Sequence, residues 1–153
     1  MSGTYFLGGI KMLFDSFRYG WRYTEEECSK EELESIRIVS ENISKTKWEE
    51  LCDNVIIEKS SYIQKILSKK LQVLIADCCW GEENEKLSGA KFREYFDEEE
   101  EIITILYDYE SAIEIPASFF YEKWFVFCYP SDSSLIICGN LSLFYYEDTV
   151  YII

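Results

Sequence analysis

Carboxylates interleaved with tyrosine are the residues of this chain best suited to chemistry. Asp97, Glu98, Glu99, Glu100 and Glu101 follow Tyr95 and Phe96, and Asp108, Tyr109 and Glu110 come one strand length later. Tyr145, Tyr146, Glu147 and Asp148 repeat the mixture, and Trp80 adjoins the vicinal pair Cys78 and Cys79. Together such side chains make a contact surface: carboxylates pair with Lys and Arg, and rigid rings supply anchors. A solvated loop or helix end would account for the five-carboxylate run by itself, and the company of tyrosines is what favours a surface. The expected partner-binding set is Tyr95, Asp97, Glu98, Glu99, Glu100, Glu101, Asp108, Tyr109, Glu110 and Trp80. Part of the aromatic complement must also fill the core.

Reaction chemistry is limited mainly by one absence, because the chain has no histidine. That removes Ser-His-Asp and Cys-His nucleophile pairs, histidine general bases and every zinc site that needs imidazole. Neither a GxxxxGKS/T loop nor GxGxxG occurs, and the acidic run lacks the Asp/Asn-with-Gly alternation of a calcium loop. Paired carboxylates of the glycosidase type are defined in space, so the sequence leaves them open. The six cysteines, Cys28, Cys52, Cys78, Cys79, Cys128 and Cys138, show no CxxC spacing. They read as reduced, mostly buried small hydrophobes, with no metal and no cofactor expected. A thiol nucleophile at Cys78 or Cys79 would have no nearby histidine or basic cluster to activate it.

Charge is distributed unevenly. Before Asp77 there are 12 acidic and 11 basic residues, and from Asp77 onward 17 and 4, giving a net charge of −14. The same second half holds 17 of the 26 aromatic residues. Charge of one sign beside low-dielectric aromatic walls attracts a basic partner, which includes proteins that themselves act on nucleic acid. Residues 1–10 read as neither a signal peptide nor a membrane span, so a cytoplasmic location is expected.

A chain of 153 residues, 48% hydrophobic, suits a single domain over 1–153. Residues 1–24 are apolar and aromatic without a clean period and receive no assignment. Ser29 and Glu32 have capping-box spacing, and Leu33, Ile36, Val39 and Ile43 continue at helical intervals for about four turns. Thr46 with Glu49 suggests a second capped helix, and Ser60 or Ser61 opens a third that buries Ile63, Ile66 and Leu67. From residue 71 the character changes. Residues 71–76 and 102–107 read as strands, 81–91 as a polar loop with a helical turn, and 123–129 as a strand by composition. Residues 130–134 form a turn, residues 135–138 the return strand, Gly139-Asn140 a turn, residues 141–146 a strand, Glu147-Asp148 a turn and residues 150–153 the last strand. The expected class is α+β: N-terminal helices packed on a mostly antiparallel C-terminal sheet of four to five strands, with a meander from Lys123.

In length, acidity, lack of catalytic motifs and the closing segment from Trp124 through Pro130-Ser131-Asp132-Ser133-Ser134 to Gly139, read as a hairpin, the chain resembles a known class. These are the small immunity proteins that neutralise the C-terminal toxin domains of bacterial contact-dependent growth inhibition and related polymorphic toxin systems. The resemblance implies a non-enzymatic, cytoplasmic inhibitor that binds a basic toxin domain, often a nuclease, one to one, without contacting nucleic acid or membrane itself. Two alternatives remain beside it. One is a nucleic-acid mimic that inhibits another DNA- or RNA-binding protein, for example a phage-encoded inhibitor; the other is a small carboxylate-based enzyme.

Overall fold

A computed structural model of the chain describes residues 14–51, 59–97, 101–130 and 132–153. After a single 3-10 turn at Gly20–Arg22 come α1 (Lys30–Ser35), β1 (Arg37–Ile38), α2 (Glu41–Leu51), α3 (Lys59–Leu67) and β2 (Gln72–Ile75). Then follow α4 (Glu82–Phe96), β3 (Ile102–Leu106), β4 (Ala112–Pro116), α5 (Ala117–Phe127), β5 (Ser133–Cys138), β6 (Leu141–Tyr146) and β7 (Thr149–Ile152). The strands form one antiparallel sheet in the order β1-β4-β3-β5-β6-β7-β2. The class is α+β as expected, but the sheet has seven strands rather than four or five, and helices alternate with strands instead of preceding them.

Both faces of this sheet are covered, which is why its central strands are mainly apolar on both sides. Successive side chains point to opposite faces. Ile103, Ile105, Ile113, Ile115, Ile136, Leu143, Tyr145 and Val150 lie in the core cluster that includes Phe92, Phe120, Trp124 and Phe127 of α4 and α5. Leu106, Ala112, Leu135 and Phe144 belong to a second cluster with Trp48 of α2 and Ile66 of α3. Trp48 is 1% exposed.

Several expected elements are corrected by this packing. Residues 123–127 are helical, the end of α5, so the aromatic run that composition assigns to a strand is a buried helix. Six of its eleven residues are aromatic, and a helix apolar on nearly every side belongs between two layers. Here α5 lies between the sheet and α4. The meander therefore begins at Ser133, and the segment from Trp124 to Gly139 is helix followed by strand rather than a hairpin. That removes the hairpin from the features that carry the resemblance to immunity proteins.

The polar stretch at 81–91 is likewise helical. Three glutamates, Glu82, Glu83 and Glu85, occupy the first turn of α4, where the helix dipole favours them. Its inward stripe is Ser88, Gly89, Phe92 and Phe96, so two of the packed positions are small rather than apolar. The four-turn helix expected from Ser29 is two helices. The capping box at Ser29 and Glu32 is present, but the chain turns extended at Ile36 and pairs Arg37 and Ile38 with β4. Ser40 then caps α2 by accepting from the Ile43 amide. Thr46 opens nothing; it sits inside α2 and its hydroxyl donates to the Asn42 carbonyl. In α3, Ile66 is buried but Leu67 is 38% exposed.

Two contacts hold the helical layer on the first face together. A Cβ at Gly89 would overlap the backbone carbonyl of Tyr121, so α4 and α5 touch at a position open only to glycine. Lys123, where α5 kinks (φ −133°), donates to the Glu27 carbonyl at 2.7 Å and to Glu32 Oε1 at 2.6 Å. Burial alone would raise the Glu32 carboxyl, but the Lys123 ammonium and the Ser29 amide outweigh it and hold the group below its usual value.

The close approach predicts that Gly89→Ala lowers the chemical-denaturation midpoint, by about 1–3 kcal/mol of overpacking against at most about 1 kcal/mol of improved helix propensity. The Glu32 pair predicts a sign with pH. Its folded pKa lies below the unfolded value of about 4.3, so its contribution is complete above that value and disappears as pH falls through the folded pKa. Urea unfolding should show Glu32→Gln less stable than the unaltered protein at pH 7, with the gap narrowing as the pH falls below the unfolded value of about 4.3.

Candidate functional site

The strand register gathers one set of loops at one end of the sheet. The exits of β1 and β2, the β3–β4 loop, the entry to β5 and the β6–β7 turn all lie there. They place Glu41, Asp77, Asp108, Glu110, Asp132, Glu147 and Asp148 along this end, from the β1 margin to the β2 margin, and Glu41, Asp77, Glu110 and Glu147 are exposed. The opposite end receives Asp97, the left-handed C-cap of α4 (φ 53°), and Glu101, whose carbonyl accepts from the Ala117 amide. With about 3.3 Å of rise per residue, β3 separates the two ends by roughly 17 Å. Asp108, Tyr109, Glu110 and Trp80 thus belong to one region, and Asp97 and Glu101 to another. Glu98, Glu99 and Glu100 lie outside the described residues. Tyr95 is half-buried on α4 against the core and Phe96.

At the loop end the β3–β4 connection is built around Asp108, which is 8% exposed. Its Oδ1 accepts from the Glu110 amide at 2.9 Å, an Asx turn. Its Oδ2 accepts from Tyr19 Oη at 2.8 Å and from Arg18 Nη1 at 3.0 Å. Tyr109 reaches the other way, donating its hydroxyl to Glu49 Oε1 of α2 at 2.8 Å, with Lys45 Nζ 5.6 Å from its ring. Between these side chains an open cleft of about 550 Å³ is lined by Arg18, Glu41, Asp108, Tyr109 and Glu110 among others.

Arg22 joins this loop to its neighbours. The side chain is 4% exposed, and its guanidinium donates to Asp132 Oδ2 through Nη2 and to the Phe127 carbonyl through Nη1 at 3.2 Å. Four rings surround it, with centroids at 4.5 Å for Tyr129, 4.9 Å for Tyr19, 5.0 Å for Tyr107 and 5.2 Å for Trp21. Tyr19 and Tyr107 also stack at 4.3 Å. Burial works against the Arg22 charge, but Tyr107 and Asp132 outweigh it and the group stays a firm cation. Burial raises the Tyr129 phenol, Arg22 opposes that rise and Glu27 adds to it.

The outer side of Tyr129 bears two tryptophans. Trp21 and Trp80 meet its ring edge-on at 4.9 and 5.0 Å, and Trp80 donates its indole N–H to the Cys128 carbonyl at 3.4 Å. Trp21 is 61% and Trp80 46% exposed. Of the aromatic side chains described, these are the only two in the exposed class.

The sequence reading finds Trp80 here but not Arg18, Tyr19, Trp21, Arg22, Tyr129 or Asp132. The signal for them is the pair Arg18 and Arg22, four residues apart within an aromatic run of an otherwise acidic chain. Cysteine chemistry has no support at this end. The thiols of Cys28, Cys78, Cys79 and Cys128 are free, while Cys52 lies outside the described residues. Burial pushes Cys78 up to about 12 and Cys28 up to about 11, and a hydrogen bond to Asp77 raises Cys79 to about 11. Such thiols stay protonated near neutral pH. Among the described residues no group of three His, Cys, Asp or Glu side chains is placed to hold a metal ion, and no helix is long and apolar enough to cross a membrane.

No protein family, curated protein or solved structure matches the chain.

The enclosed ion pair predicts that Asp132→Asn costs about 3–5 kcal/mol of unfolding free energy, because it leaves the Arg22 charge buried without its counterion. Arg22→Lys should recover little of the cage, since an ammonium neither stacks on four rings nor spans Asp132 and the Phe127 carbonyl together. Arg18→Ala, at a side chain 74% exposed, should cost less than about 1 kcal/mol. Guanidinium denaturation of the three variants checks the ranking.

Proposed function

We propose that this chain is a stoichiometric inhibitor that binds a basic protein through the loop end of its sheet. The partner is the C-terminal toxin domain of a bacterial polymorphic toxin system, with a nuclease the preferred toxin class. The observation that carries the reading is that carboxylates from five separate connections line one end of the sheet, which also bears the exposed pair Trp21 and Trp80. Exposed carboxylates speed capture of a cationic partner, and aromatic contacts then slow its release. The immunity assignment itself rests on length, acidity and the absence of catalytic motifs. In this reading the chain works in the cytoplasm, one copy to one toxin, without catalysis, metal or cofactor, and the acidic run at residues 97–101 contributes long-range attraction only.

Co-expression with the toxin gene adjoining its own gene tests the reading: cells should survive that toxin and die from an unrelated one. Death despite abundant folded protein would sink the immunity assignment. The loop end has its own test in Asp77→Asn, Glu110→Gln and Glu147→Gln combined. Association with the toxin domain should slow several-fold at low salt and converge with the unaltered protein at high salt, since exposed charges act over a Debye length of about 8 Å at physiological ionic strength. The same treatment of Glu98, Glu99 and Glu100 should have a smaller effect, and the reverse order would move the interface to the acidic run.

A further inference from the structure

We infer that Trp21, Tyr129 and Trp80 form the anchor of the partner interface, and that they seat an arginine side chain of a basic protein; the inference rests on the basic-partner reading above. The chain buries or half-buries every other aromatic side chain described, so leaving two indoles exposed against one tyrosine is a local exception. Trp and Tyr in contact with each other, rigidly backed and rimmed by polar groups, are the composition of an interface hot spot. The backing here is Arg22, which holds the Tyr129 ring from the inside at 4.5 Å, while the Trp80 indole is fixed to Cys128.

Charge complementarity selects the occupant. The exposed turn at residues 24–27 carries Glu25, Glu26 and Glu27 just after Tyr23; Asp77 precedes Trp80, and Glu82, Glu83 and Glu85 follow it on the first turn of α4. Of the basic groups here, Arg22 pairs with Asp132, Arg18 with Asp108 and Lys123 with Glu32, and Lys86 lies 3.9 Å from Glu82. An incoming cation therefore meets carboxylates and ring faces. Arginine fits better than lysine because its planar guanidinium stacks on rings while donating to carboxylates in a fork. The chain already uses this contact internally, with Arg22 over Tyr129 and Trp21 and Arg93 over Tyr121 at 5.3 Å.

A short synthetic peptide of alternating arginine and glycine, with its uncharged citrulline counterpart, is the probe. At physiological ionic strength the arginine peptide should bind, and W21A/W80A should weaken it by at least about tenfold with unchanged circular dichroism. In the unaltered protein the bound peptide should also shield indole fluorescence from acrylamide quenching, which keeps the test valid if the double substitution fails to fold. Equal binding by W21A/W80A, unshielded fluorescence, or equal binding of the citrulline peptide overturns the anchor while leaving the acidic loop end as the docking region. Failure of the arginine peptide to bind the unaltered protein even at low salt overturns both the anchor and the basic-partner reading.

Discussion

One enclosed cation organises the loop end of this molecule. Arg22 arrives from the N-terminal segment, yet its counterion, its carbonyl partner and two of its four rings come from α5, the loop after it and the edge of β3: Asp132, the Phe127 carbonyl, Tyr129 and Tyr107. Taking a guanidinium out of water costs several kcal/mol unless its charge and donors are met, so the site exists only when segments more than 100 residues apart in sequence are docked together. Tyr19 extends the same arrangement to Asp108, and through it to the β3–β4 loop. The rigidity of the exposed indoles, and hence any affinity they confer, is inherited from a buried ion pair.

The sheet makes that arrangement affordable. Because α4 and α5 cover one face and α2 and α3 the other, the central strands are held by burial on both faces as well as by their ladders. The loop end carries carboxylates whose mutual repulsion that burial must offset. Even the backbone yields there: Glu147 and Asp148 both adopt left-handed conformations (φ 46° and 63°), the geometry of a two-residue hairpin turn in which Asn and Gly are the easier choices.

Legibility in the sequence followed periodicity. The strands at 135–138, 141–146 and 150–153 could be read because β-branched and aromatic residues run between two-residue turns, and strand length separates β3 from a helix. The α5 segment could not, since a helix buried on both sides loses the 3.6-residue pattern and its aromatic composition favours a strand. The α4 helix was hidden for the opposite reason: Ser88 and Gly89 do the packing that apolar residues usually announce. At the site, the local motif Asp108-Tyr109-Glu110 was legible, as was Trp80. Trp21, Arg22, Tyr129 and Asp132 were not, because what defines them is a meeting across the fold, and a run such as Phe17-Arg18-Tyr19-Gly20-Trp21-Arg22 has no period to report it.

The two borders of the sheet set what kind of association is open to the molecule. An unpaired strand edge invites hydrogen-bonded addition of another chain unless it is shortened, charged or distorted. Here β1 offers only two residues and places Arg37 against Glu114 at 3.0 Å, while β2 changes register against β7 between Val73 and Ile75. Neither border presents a flat run of free amides and carbonyls. Growth by strand addition, and the self-association that follows from it, is thereby discouraged at both margins.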